Sequence, residues 1–194
     1  RILLWFDLLN GGKGKMPMGS ETSLNESPIF EVNAVGAFKQ NPGCPEFSLT
    51  SLDPDRLEKL CGGECYNPSD ERKLISRIEI IRILPQTSAN EDVGQLIQDP
   101  WKTFICDPDE TGCTFKFQDD EFISLDREAV YYARAIQESS DTINANNLRC
   151  EYDENGICIK INPCYGDYKT SKTDDCLAPS EERAWSSPIF INKL

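Results

Sequence analysis

Leu74-Ile75-Ser76-Arg77-Ile78-Glu79-Ile80-Ile81-Arg82-Ile83-Leu84 decides the fold class. Ile78, Ile80 and Leu84 face one way with Arg77, Glu79 and Arg82 interleaved, and so many β-branched residues favour a strand. The pattern recurs in short pieces on either side. Arg1 to Leu9 is an apolar strand ended by Asn10-Gly11-Gly12, and Ile29 to Gly36 alternates as a half-buried strand. Trp101 to Cys106 is expected to pair with Cys113 to Phe117 as a hairpin across Pro108-Asp109-Glu110-Thr111-Gly112. Ala129 to Ile136 is a further strand, with Val130, Tyr132 and Ile136 on one face. Leu148 to Tyr152 and Ile157 to Ile161 flank the Asn155-Gly156 hairpin signal, and Pro188 to Ile191 closes the set.

One short helix interrupts the strands. Asp53 is placed to cap it, Pro54 takes the first helical position, Gly62 follows its end, and Leu57 and Leu60 give it a small apolar face. The expected fold is mainly β: an antiparallel β-sandwich with one short helix and several disulfide-closed hairpins and loops. It forms a single domain over residues 1–194, with a Cys-rich helical excursion at about 41–72 and a disulfide-rich C-terminal region at about 147–194.

Twenty Lys and Arg against 33 Asp and Glu leave a net charge of −13. Such a surface repels nucleic acid and anionic lipid, which are bound through basic patches. No apolar run is long enough to span a membrane. The chain contains no histidine. That removes Ser-His-Asp and Cys-His nucleophiles and His-ligated zinc, leaving carboxylate chemistry, oxygen-ligand calcium or a Cys-only metal site.

Nine cysteines point to an oxidising, extracytoplasmic compartment, periplasmic or secreted. Spacing proposes the pairs Cys106–Cys113, Cys150–Cys158 and Cys164–Cys176. Each closes a short loop and contributes ~2–3 kcal/mol by restricting the unfolded chain. Cys44, Cys61 and Cys65 remain, with Cys44 expected to bond Cys61 or Cys65 and one thiol left over. Cys61-Gly-Gly-Glu-Cys65 has C-x3-C spacing rather than the C-x2-C of zinc ribbons, so a structural bridge is favoured over a metal site.

Asp107, Asp109 and Thr111, followed by Gly112, match the first half of a calcium loop, but Gln118 holds the twelfth position where a bidentate Glu belongs. An Asx-rich closed turn explains the same residues. Asp167, Asp174 and Asp175 in the Cys164–Cys176 loop are weighed in the same way. Of the three tryptophans that could form a carbohydrate platform, Trp5 and Trp101 lie in apolar strands and are assigned to the core, while Trp185 stays open.

Val130-Tyr-Tyr-Ala-Arg-Ala-Ile136 and Glu182-Arg-Ala-Trp-Ser-Ser-Pro-Ile-Phe190, with Met16-Pro-Met-Gly19, Ile78 to Arg82 and Cys61 to Pro68, resemble the later portion of one bacterial exported family, domain of unknown function 3604. The resemblance covers essentially the whole chain. It implies a sandwich-like C-terminal region attached to an N-terminal part similar to PHP-type (polymerase and histidinol phosphatase) metal-dependent phosphoesterases. That part would be the chain's partner and would hold the divalent metal, no cofactor falling in this chain. The family's His- and Asp-rich metal motifs do not occur here, so no catalytic residue carries over. The start in mid-strand likewise reads as the C-terminal piece of a longer product. The terminal segment has two expected roles: Arg183 and Trp185 form a pocket edge, or Arg183 pairs with a buried acid while Trp185, Ile189 and Phe190 close the sandwich. An accessory module of an exported hydrolase is the expected function; the alternative is a free-standing extracellular module that binds glycans or protein.

Overall fold

The alternating stretches condense into two facing sheets. In a computed structural model, the description covers residues 1–194 except Lys13, residues 165–169 and Lys172, and it leaves out the side chains of Leu60 and Cys61. In chain order the described elements are β1 (Leu3–Gly11), β2 (Gly14–Pro17), β3 (Glu21–Leu24), β4 (Ile29–Val35), β5 (Phe38–Gln40), α1 (Glu46–Ser51), α2 (Pro54–Cys61), β6 (Pro68–Arg72), β7 (Ile75–Ile83), α3 (Val93–Leu96), β8 (Ile97–Ile105), β9 (Cys113–Gln118), α4 (Phe122–Leu125), β10 (Ala129–Ile143), β11 (Glu151–Tyr152), β12 (Cys158–Lys160), β13 (Leu177–Trp185) and β14 (Ile189–Lys193). A fifth short helical segment, Ala145–Arg149, is left-handed over most of its length. The single helix expected from the sequence is α2, and its ends are as read: Asp53 Oδ1 accepts from the backbone N–H of Asp55 at 3.0 Å, and Gly62 sits at φ 58.

One sheet runs β2-β1-β4-β9 and the other β3-β14-β10-β7-β8, with β13 also pairing β10. All pairings are antiparallel except β14 with β3. Phe6 and Phe30 (5.2 Å between ring centroids) and Phe30 and Phe117 (5.2 Å) stack across the smaller sheet, and Tyr131 meets Phe30 from the other. Ile78, Ile80, Ala133, Ala135, Ile189 and Ile191 complete the core between the sheets. A fully buried Phe or Ile contributes ~1.5–3 kcal/mol by leaving water, which makes this interior the main source of stability.

Four expectations change. Trp101–Cys106 and Cys113–Phe117 do not form a hairpin: β8 pairs β7 in the larger sheet and β9 pairs β4 in the smaller. Their apolar side chains face one another across the interior, Phe104 stacked on Phe115 at 4.8 Å, and the Cys106–Cys113 bridge joins the sheets at their edge. The turn between them needs Gly112, which has φ +90 and lies where a Cβ would strike the Ala34 carbonyl. Trp5 is 46 % exposed, because β1 turns Phe6 and Leu8 inward and its odd residues outward. Leu148 and Arg149 belong to the left-handed turn, so the strand expected at Leu148 to Tyr152 shrinks to β11.

The fourth correction concerns the terminal segment. Arg183, Trp185 and Phe190 lie on the open side of the larger sheet, whereas Ser186, Ile189 and Ile191 are buried and close it. Strand alternation explains the split: Trp185 is paired opposite Arg134 and Phe190 opposite Val130, both outward positions of β10.

Candidate functional site

Arg82 shares the parity of Ile78 and Ile80, so β7 carries it to the core face, away from Arg77 and Glu79. Its side chain is 2 % exposed and that of Asp119, just after β9, is 0 % exposed. Nη1 donates to Asp119 Oδ1 at 3.0 Å and Oδ2 at 2.8 Å, Nη2 to Glu121 Oε2 at 2.6 Å, and Nε to Gln98 Oε1 at 2.6 Å. The Tyr131 hydroxyl donates to Asp119 Oδ2 at 2.6 Å, and the guanidinium lies 4.4 Å from the Trp101 ring centroid.

Burial pushes the Tyr131 phenol far above its ordinary range, and the Asp119 carboxylate adds to that. Burial alone would lower the Arg82 pKa, but the carboxylates of Asp119 and Glu121 carry it above its ordinary value. The cluster therefore keeps a charged guanidinium and a neutral phenol through the physiological range. Every nitrogen of the guanidinium is engaged, so the arrangement is a clamp between the two sheets. The expectation that Arg82 is interleaved with Arg77 and Glu79, opposite Ile78 and Ile80, is corrected: it stands an even number of residues from both isoleucines and so shares their buried face.

The opposite face of the larger sheet carries a second ionic arrangement, close to solvent. Arg77 Nε donates to Glu79 Oε1 at 2.8 Å, and Arg77 also grips Glu181 through both terminal nitrogens at 2.8 Å each. Arg134 bonds Glu79 Oε2 at 2.6 Å through Nε and Asp99 Oδ1 at 2.7 Å through Nη2. Partial burial pushes the Glu79 carboxyl up, but hydrogen bonds from Arg77 and Arg134 hold it below its ordinary value.

Beside this lattice, β13 and the left-handed turn enclose an open groove of about 340 Å³, lined by Asn146, Asn147, Pro179, Ser180, Glu181 and Arg183. Arg183 also lines a second open groove of about 480 Å³ with Arg1, Ile2, Ala37, Glu182 and Ala184. Trp185, the next residue on the same side of β13, is 59 % exposed.

The bridges are Cys44–Cys65, Cys106–Cys113, Cys150–Cys158 and Cys164–Cys176, so Cys65 is the partner of Cys44. Asp109 Oδ1 accepts from the N–H of Thr111 at 2.7 Å and from its hydroxyl at 2.8 Å, an Asx turn, while Asp107 is exposed. Asp174 accepts from Arg149 at 2.7 Å, and Asp167 lies outside the described residues. Among the described residues, no group of three or more His, Cys, Asp or Glu converges on a metal position. No helix among them is long and apolar enough to cross a membrane.

No protein-family model, curated protein or solved structure matches the chain.

Proposed function

We propose that the chain is the C-terminal accessory module of an exported, metal-dependent hydrolase of the phosphoesterase type. On this reading it packs on and stabilises an N-terminal catalytic part, which holds the divalent metal. The observation that carries it is an apolar row on the open face of the larger sheet. Phe190, Val130, Ile83 and Ile97 stand opposite one another across β14, β10, β7 and β8. Phe190 is 42 % and Ile97 47 % exposed. Cross-strand partners share a face, so the four form one apolar band, the kind of surface that another folded part covers. The band ends on the terminal segment that resembles the family signature. Four disulfides support an extracytoplasmic location.

Two measurements test the proposal. The chain alone, supplied with Mg²⁺, Mn²⁺ or Zn²⁺, is expected to hydrolyse chromogenic phosphomonoesters and phosphodiesters no faster than the metal blank; turnover by the chain alone would sink it. Phe190→Asp with Ile97→Asp is expected to leave the melting of the chain nearly unchanged and to lower that of the intact gene product. Equal melting of the intact product with and without the pair counts against the docking band.

A further inference from the structure

We propose that the groove between the left-handed turn and β13 is a carbohydrate-binding site, with Trp185 as its stacking platform. Its volume of about 340 Å³ falls within the range of small-molecule clefts, ~300–1,000 Å³. Its walls are polar, and their groups are held in place beforehand. The Tyr152 hydroxyl donates to Asn146 Oδ1 at 3.0 Å and accepts from Asn147 Nδ2 at 3.2 Å. That clamp orients both amides and leaves Asn146 Nδ2 and Asn147 Oδ1 without a partner among the described residues. One donor and one acceptor side by side match the vicinal hydroxyls of a sugar ring.

The charged pair at the groove differs in the same useful way. Glu181 is neutralised by the two-point grip of Arg77. Arg183 is exposed and makes no ion pair with any described residue, so its guanidinium is open to a ligand oxygen. Trp185 follows Arg183 by two residues on one strand, ~7 Å farther along the same face. An exposed indole offers a flat apolar surface for the C–H face of a pyranose and an N–H at its edge. A chain of net charge −13 does not suit a long, densely charged chain such as nucleic acid, and a small polar cleft does not suit a protein segment with apolar anchors.

The backbone supports the assignment independently. Asn146, Asn147, Leu148 and Arg149 have φ values of 49, 51, 55 and 60 in succession. A left-handed turn costs ~1–2 kcal/mol per ordinary residue, and Leu148 and Arg149 have no short amide side chain to offset it. The conformation is imposed from outside. The Asn162 N–H donates to the Leu148 carbonyl at 3.0 Å, Asn144 bonds the Cys164 backbone in both directions at 2.6 and 3.2 Å, and Arg149 Nη2 meets Asp174 at 2.7 Å. The Cys164–Cys176 bridge ties Cys164 to the segment that carries Asp174. Strain maintained by so many restraints is characteristic of ligand clamps, and here it places Asn146 and Asn147 against β13.

The site stands apart from the accessory-module proposal. Turnover by the chain alone would defeat that proposal and leave glycan binding intact, and the reverse also holds. The test is a glycan array of neutral and uronic-acid oligosaccharides probed with the chain, followed by calorimetry on the best binder. Trp185→Ala and Asn147→Ala are each expected to weaken binding by ~10-fold or more. Trp185→Tyr should retain most of it, and Trp5→Ala, on the open face of the other sheet, should leave it unchanged. Arg183→Gln should reduce binding of uronates more than of neutral sugars if a carboxylate is the ligand oxygen, and of both alike if a hydroxyl is. Circular dichroism confirms that each variant is folded. An array without binders, or full binding by folded Trp185→Ala or Asn147→Ala, overturns the assignment, as does loss of binding in Trp5→Ala.

Discussion

The sandwich and the Cys-rich stretch from Asn144 to Cys176 are held together by different forces. In the sandwich, Phe6, Phe30, Ile78, Ile80, Tyr131 and Ile189 are completely buried, and even the charged Arg82 and Asp119 are enclosed. In the Cys-rich stretch, Cys150 is the single buried residue among those described. There Ile157, Ile159 and Ile161 are 61 %, 65 % and 50 % exposed. A segment that short cannot bury enough apolar surface to offset its lost conformational entropy. Bridges at Cα separations of 5.7 and 5.4 Å restrict its unfolded state instead. The cysteines that look surplus for a sandwich of this size are therefore needed by the segment beside it.

The largest expected effect breaks the sandwich side of this contrast. Asp119→Ala leaves Arg82 buried without its main partner and is expected to cost ~3–5 kcal/mol in urea unfolding. Replacing the cluster together, Arg82→Met with Asp119→Leu and Tyr131→Phe, is expected to recover most of that loss, because the buried charge is then gone. A cost below ~1 kcal/mol for Asp119→Ala would show that the clamp is not enclosed as described.

An intermediate effect sharpens the other side. Cys150→Ala with Cys158→Ala is expected to weaken the stretch around the left-handed turn by ~2–3 kcal/mol, read as faster amide exchange from Asn144 to Asn162. The urea midpoint of the sandwich should barely move. Equal loss in both regions would mean that they unfold as one unit and that the contrast is false. Mass mapping without reductant should recover all four bridges.

The smallest effect lies at the surface of the sandwich. Arg127 donates to Glu91 Oε1 at 2.7 Å and the N–H of Thr87 to its Oε2 at 2.7 Å. With the Arg127 hydrogen bond as the main cause, the Glu91 carboxyl is held at about 2 against an ordinary 4.5. A carboxyl depressed in the folded state contributes stability that is fully present above 4.5 and lost as pH falls toward about 2. NMR titration should place Glu91 near the lower value and shift it upward in Arg127→Gln. A midpoint near 4.5 in the unaltered chain would remove this pair from the account.

The parts legible in the sequence are those set by neighbours in the chain. The strand character of Ile75–Ile83 and of the first half of β10, Ala129 to Ile136, both ends of α2 and three of the four bridges follow from spacing within a few residues. The site was less legible. The sequence marks out Arg183 and Trp185, yet it does not mark β13 as a strand, and the left-handed turn that faces it gives no signal. Asn146 and Asn147 looked like ordinary loop residues because their conformation is imposed by Asn162, Cys164 and Asp174, all farther along the chain.

Sequence alone determined that the chain is a β protein without histidine chemistry and with short covalent loops, because residue type and local spacing settle those points. Tertiary structure decided which sheet each strand joins, that Arg82 points inward while Arg77 points out, and that Trp5 and Trp185 stay in solvent. A period of two states which residues share a face but not what that face meets. For Arg82 the answer came from Asp119, 37 residues away.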